Sequence, residues 1–183
     1  QKSVVATVLS AVNAALGGLE QREVLRYFKS VLSPLDADTC DRVENYAVIW
    51  GIRGDGWKQV WTRHPDGLGG VWDDDARQRL DRLNEARAAA VEPLARLQAG
   101  FRAAENLAGQ VQALYGFLEE MELADRLRRL AEEMDASGED REAQILNQLW
   151  EILLTALEQL YDVLGRTVWE PEAFARLLAL LLS

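Results

Sequence analysis

Arg141 to Gly165, REAQILNQLWEILLTALEQLYDVLG, is the stretch whose reading decides the fold. Ile145, Leu146, Leu149, Leu153, Ala156, Leu157, Leu160 and Leu164 recur at intervals of three and four, the repeat of one helical face, and polar residues fill most of the positions between them. A half-buried strand would need apolar and polar residues to alternate, and here they do not. Gly165 supplies a stop. The spacing predicts a long helix over about residues 139 to 164 with Leu153 in the core.

The same period extends outward. Ser137-Gly138 separates this helix from two shorter ones predicted at about 106 to 119 and 122 to 136. Before them, Leu80, Arg87, Leu94 and Phe101 are spaced by seven, as are Leu83, Ala90 and Leu97, which marks the seam of a second long helix beginning at Asp73. One arginine intrudes into that seam, and Pro93 predicts a kink or a break. The two long helices are expected to pack side by side, Trp150 and Leu153 of one against the seam of the other, with the shorter pair capping them. Three short helices are expected in residues 1 to 50: Val5 to Leu16, ended by Gly17-Gly18; Val24 to Leu32, stopped by Pro34; and one capped by Asp36 that runs to Trp50 and ends at Gly51. A last helix pattern covers Pro171 to Leu182. The fold expected is all-α: a single domain over 1 to 183, an irregular bundle with two long helices and one long Trp/Gly-rich loop.

That loop, GIRGDGWKQVWTRHPDGLGGVW at 51 to 72, holds six glycines, one proline and three of the six tryptophans. Structureless connections of this length are uncommon in compact domains and usually functional or disordered. Three tryptophans argue against disorder, so the loop is expected to be pinned to the body through its indoles.

With 20 Lys+Arg against 30 Asp+Glu the net charge is −10, which disfavours a protein that coats nucleic acid non-specifically. The charge is unevenly spread: residues 1 to 72 carry 8 basic and 8 acidic side chains, leaving 12 basic and 22 acidic for the remainder. Any DNA contact is therefore expected from the first 72 residues. The single cysteine, Cys40, excludes an internal disulfide, a four-cysteine zinc site and a self-contained iron–sulfur cluster. No apolar run approaches a membrane span, and with no secretory signal the expected compartment is cytoplasmic. Gln1 in place of an initiator Met, and a last helix without a stop signal, suggest a segment of something larger.

Most catalytic and cofactor signals are missing. Gly51 to Lys58 has glycines but not the Gly-Lys-Ser/Thr ending of a phosphate-binding loop, because Trp57 separates Gly56 from Lys58. Asp73-Asp74-Asp75 reads as a helix start, and Asn84 with Glu92 gives no second acidic cluster across a cavity. His64, before Pro65 and without a partner nucleophile, reads as a solvated histidine; Cys40 reads as an inert core or boundary residue. No catalytic, cofactor or metal residue is assigned. Two features remain. Arg22, Arg26 and Lys29 fall at i, i+4 and i+7 on the polar side of the second helix, and the loop adds Arg53, Lys58, Arg63 and His64 interleaved with Trp57 and Trp61. These fit phosphate pairing and base stacking, or equally a solubilising face and a Trp-anchored loop.

At 22 to 30, REVLRYFKS, and 41 to 57, DRVENYAVIWGIRGDGW, the chain resembles the B subunit of the bacterial ATP-dependent helicase/nuclease of the AddAB type. The residues that carry this are Val24, Arg26, Tyr27, Lys29 and Ser30; Pro34, Leu35 and Asp36; Arg42, Glu44, Asn45 and Tyr46; and Gly51 to Gly54, with looser likeness through ALYGFLEEM, LNQLWEILLTALEQLYDVLG and PEAFARLL. The resemblance implies an internal segment of the helicase-like part, the helical insertion called 2B in superfamily 1 motors. It also implies a parent that uses ATP, Mg and a four-cysteine 4Fe-4S cluster, pairs with an A subunit, resects DNA double-strand breaks for recombinational repair and responds to a recombination hotspot. None of the catalytic parts maps onto this chain, so the segment is expected to be non-catalytic. Its expected partners are the rest of its own polypeptide, the A subunit of the helicase/nuclease, and DNA. The competing expectation is a stand-alone helical protein-interaction adaptor.

Overall fold

The computed structural model describes residues 2–168 and 170–182. Among them are eight α-helices and no strand: α1 (Lys2–Leu16), α2 (Gln21–Phe28), α3 (Ala37–Trp50), α4 (Asp74–Ala103), α5 (Leu107–Glu120), α6 (Leu123–Ala136), α7 (Asp140–Leu164) and α8 (Pro171–Leu181). Helix starts follow local chemistry. Asp36, Asp73 and Asn106 each accept the backbone N–H three residues on, at 2.7, 2.7 and 3.0 Å, and so satisfy a donor that the helix itself leaves free. Gly51 ends α3 in the left-handed region at φ 61°, where a side chain is disfavoured.

Pro93 does not break α4. The helix runs through it, and the carbonyl deprived of a donor belongs to Ala89, on the exposed side of the helix, where solvent can reach it.

The expected side-by-side packing of the long helices is corrected. The principal pairings are α6 with α7, α4 with α5, α1 with α2 and with α4, and α5 with α7; α4 with α7 is not among them. Helix α5 packs on both long helices, burying one broad face formed by Leu107, Val111, Leu114, Phe117 and Leu118. Gly100 of α4 admits Ala113 of α5 closely, since a Cβ on the glycine would lie 2.8 Å from that of the alanine. Leu153 is buried on α7, a helix whose principal partners are α6 and α5, and Trp150 is only half-buried. Leu153→Ala is expected to cost about 2 to 5 kcal/mol in urea unfolding, the range for truncating a buried leucine; a loss under about 0.5 kcal/mol would place that residue at the surface.

Helix α8 returns to α1 and sets Phe174 edge-on to Phe101 of α4, ring centroids 5.6 Å apart. The first amides of α5, at Leu107 and Ala108, donate to the carbonyls of Thr167 and Gly165 at 2.8 and 2.9 Å, so the turn after α7 caps α5.

Candidate nucleic-acid interface

Helix α2 buries Val24, Leu25, Tyr27 and Phe28, which leaves Arg22, Arg26 and Lys29 on its exposed side. Tyr27 lies 6.1 Å from Phe117, and burial pushes its phenol up to about 12. The three cations differ in what they hold. Lys29 Nζ is 2.6 Å from the Glu44 carboxylate of α3, and Arg26 is 3.5 Å from Glu23. Arg22 has no ion pair among the described residues. Its neighbour Gln21 donates to the Ala47 and Ile52 carbonyls at 2.8 and 3.0 Å, and Gly54 N–H donates to the Leu19 carbonyl at 2.9 Å. These bonds bind the start of α2 to the end of α3 and the turn that follows it. Arg53 is exposed and, like Arg22, without an ion pair among the described residues.

The 51 to 72 loop is pinned more completely than its composition implies. After a short 3₁₀ turn at Gly54–Trp57, Trp57 enters the core with none of its surface exposed, edge-on to Phe28 at 5.7 Å. Trp61 stacks on Tyr46 at 4.5 Å with the rings 15° from parallel, and its indole N–H donates to the Gly56 carbonyl. The base-stacking role expected of Trp57 and Trp61 is thereby corrected: their ring faces are taken up by Phe28, Tyr46 and one another, so neither offers a platform to a strand.

Helix α4 holds the loop from the other side. The Asn84 amide accepts the Trp61 N–H at 2.8 Å and donates to the Trp61 carbonyl at 2.9 Å, imitating a strand partner. Arg87, the arginine in the apolar seam, is 7% exposed and donates to the Trp57 carbonyl at 3.2 Å and to Asn84 Oδ1 at 3.2 Å; burial lowers its pKa from the usual arginine value. Sequence reading finds the intruding arginine without its reason, because the carbonyl it serves lies 30 residues away.

His64 is not solvated. It is 6% exposed, Nδ1 accepts the Asp66 N–H at 3.0 Å, and Nε2 lies 2.9 Å from the Val71 carbonyl, a pairing in which Nε2–H is the donor. Trp72 packs on it edge-on at 4.6 Å. The Asp66 carboxylate accepts a two-pronged bond from Arg79 at 2.7 and 2.9 Å, which holds it below the usual carboxylate range. Arg63 lies over the Trp50 ring at 4.9 Å while its N–H donates to the Tyr46 hydroxyl at 3.0 Å. Lys58 stands 3.3 Å from Asp55.

Of the eight candidate contact residues, then, Arg22, Arg53 and Arg63 are exposed cations with no carboxylate partner among the described residues, Arg26, Lys29 and Lys58 are paired, and Trp57 and Trp61 are core. Cys40 is buried, its thiol directed at the Phe28 carbonyl, and burial pushes its pKa up. Among the described residues no group of three or more His, Cys, Asp or Glu is placed to hold a metal, and no helix is long and apolar enough to cross a membrane. Sequence reading misses a cleft of about 670 Å³ between α3 and α4, lined among others by Arg42, Asn45, Asp66 and Arg82. Its signal is the i, i+3 spacing of Arg42 with Asn45 and of Arg79 with Arg82.

Fold and site together define an all-helical chain with a Trp-anchored loop and exposed arginines that have no carboxylate partner among the described residues. No family model matches the chain. It is similar to a segment of the B subunit of the ATP-dependent helicase/deoxyribonuclease of Caldanaerobacter subterraneus, with 28% identity over 97% of this chain. The same protein of Geobacillus kaustophilus matches at 34% identity over 86% of the chain, and that of Geobacillus thermodenitrificans at 32% over 93%. The chain spans about 15% of the length of these relatives.

Proposed function

We propose that this chain is a non-catalytic helical accessory domain of the B subunit of an ATP-dependent helicase/deoxyribonuclease, acting in the end resection of DNA double-strand breaks and in recombinational repair. The observation that carries the reading is similarity over 97% of the chain to a segment of a protein with that name. The domain's work is to guide DNA past the motor through Arg22, Arg53 and Arg63, exposed cations whose charge no carboxylate of the described residues cancels. It does not read sequence, since among the described residues no helix presents a cluster of side chains suited to base edges. ATP, magnesium and the iron–sulfur cluster belong to other parts of the complex. The domain would be held between the rest of its own polypeptide, the A subunit of the helicase/nuclease, and DNA.

The test is the salt dependence of DNA binding by the intact complex. Removing one phosphate contact flattens the slope of log affinity against log salt by about 0.9, so changing Arg22, Arg53 and Arg63 together to alanine is expected to lower it by up to about three units. An unchanged slope and affinity would show these arginines to be surface only. A reading frame that ends near residue 183 would overturn the assignment to the helicase/deoxyribonuclease and favour the stand-alone adaptor.

A further inference from the structure

Leu68 is 91% exposed at the tip of the loop, between Gly67 and Gly69. Its turn is stiff: His64 ties Asp66 to Val71, Arg79 grips Asp66, and the Trp50 indole N–H donates to the His64 carbonyl at 3.0 Å. A leucine exposed to water on such a turn gains nothing for this chain, whereas a turn whose backbone is already ordered loses less entropy when its apolar side chain enters a partner's pocket. Nor does it stand alone. A Cβ on Gly67 would lie 3.4 Å from the Ile49 side chain, and Ile49 is itself 42% exposed, so the loop tip is continuous with α3.

Asp38, Arg42, Asn45 and Ile49 fall at i, i+4, i+7 and i+11, one face of α3 that runs from the apolar tip into the cleft against α4. The motif residues on this helix divide by use. Glu44 pairs with Lys29, and Tyr46 stacks on Trp61 and clasps Arg63, so the fold accounts for both. Asn45 makes no hydrogen bond through its side chain among the described residues, and Arg42 makes its ion pair with the exposed Asp38 while its charge also acts on Asp36. Arg42, Arg79 and Arg82 in the cleft are balanced by Asp36, Asp66 and Glu85. That balance favours a protein surface over phosphates.

We propose that this strip, the α3–α4 cleft with Ile49 and Leu68 at its end, is where the domain docks on the remainder of its own polypeptide, with Leu68 as the apolar anchor and Arg42, Asn45 and Arg82 as its polar rim. The inference rests on the reading of the chain as part of a helicase/deoxyribonuclease. The occupant follows from length: the chain spans 15% of the Caldanaerobacter relative, so most of such a polypeptide lies outside it and is available to cover the strip.

The test is hydrogen exchange in the full-length protein. The Leu68 and Gly69 amides donate no hydrogen bond within the described residues, so an uncovered tip exchanges at close to the free-peptide rate. Docking is expected to slow both by about tenfold or more, and Leu68→Glu is expected to restore the fast rate while exchange in α4 stays as it was. Fast exchange in the unaltered full-length protein overturns the proposal, as does slow exchange that Leu68→Glu leaves unchanged. Slowing that appears only with added DNA, or only as protein concentration rises, overturns it in favour of a strand or a second copy. The reading of the chain as part of a helicase/deoxyribonuclease fails separately, on a reading frame that closes near residue 183.

Discussion

Trp57→Ala is expected to destabilise the domain by about 3 to 5 kcal/mol, the range for truncating a buried aromatic residue. Trp57 has no exposed surface, meets Phe28 edge-on at 5.7 Å, and stands 6.0 Å from Trp61. Its removal opens a cavity where α2, α3 and the loop meet, and the neighbours have little freedom to fill it. Trp61 is already stacked on Tyr46, and the Trp57 carbonyl is held by Arg87. The domain is expected to unfold at a lower urea midpoint with an unchanged m-value, because the unfolding unit remains the same while its core is weakened. Trp57→Phe leaves much of the space filled and should cost clearly less. A loss below about 1 kcal/mol for the alanine variant would mean that the loop is an appendage that opens without the body.

The second large effect is expected at Gly70. A Cβ there would lie 2.2 Å from Nδ1 and 2.5 Å from Cε1 of the His64 ring, distances at which the imidazole must leave its place. Once displaced, the ring no longer accepts the Asp66 N–H or serves the Val71 carbonyl, and Trp72 loses its edge contact. Overpacking of this kind costs about 1 to 3 kcal/mol. Because the clash is with one ring, the two positions should be strongly coupled: in a His64→Ala background Gly70→Ala is expected to be much milder, with an interaction energy of about 0.5 to 3 kcal/mol in the double-mutant cycle. Additive losses would show that Gly70 is needed for backbone reasons unrelated to the histidine. Tryptophan fluorescence gives a second readout, since Trp72 is half-exposed against the ring that would move.

Both effects arise in the one stretch where periodicity has nothing to say. The helices are legible because their determinants are local. The three-and-four spacing of Ile145 to Leu164, the caps at Asp36 and Asp73 and the stop at Gly51 act within one or two turns, and the helices begin and end close to where those signals stand. Cys40 reads as inert for a similar reason: a small apolar-like residue on the buried side of a short helix needs no distant partner to explain it. The burial of His64 is not legible, because it depends on Val71 and Trp72, beyond the range of any local pattern. Among the candidate contact residues, sequence places the arginines but does not distinguish the free ones from the paired. Lys29 meets Glu44 15 residues away, in α3, and Arg22 is unpaired because among the described residues no carboxylate lies within reach of it.

The sequence by itself determined the all-α class, the number of helices and the limits of most of them, and the expectation that a tryptophan-rich loop would be anchored, since each follows from interactions between residues near one another along the chain; the second helix is the exception, because it ends at Phe28 rather than running to Leu32, and Val31 stands exposed. Tertiary structure alone decided that α5 packs on both long helices, that Asn84 and Arg87 of α4 hold the loop backbone, and that Trp57 and Trp61 are core rather than surface. The physical reason is common to all three. An apolar stripe says that a face will be buried but not against which other face, and a buried carbonyl or N–H takes whichever side chain the packed helices bring within about 3 Å.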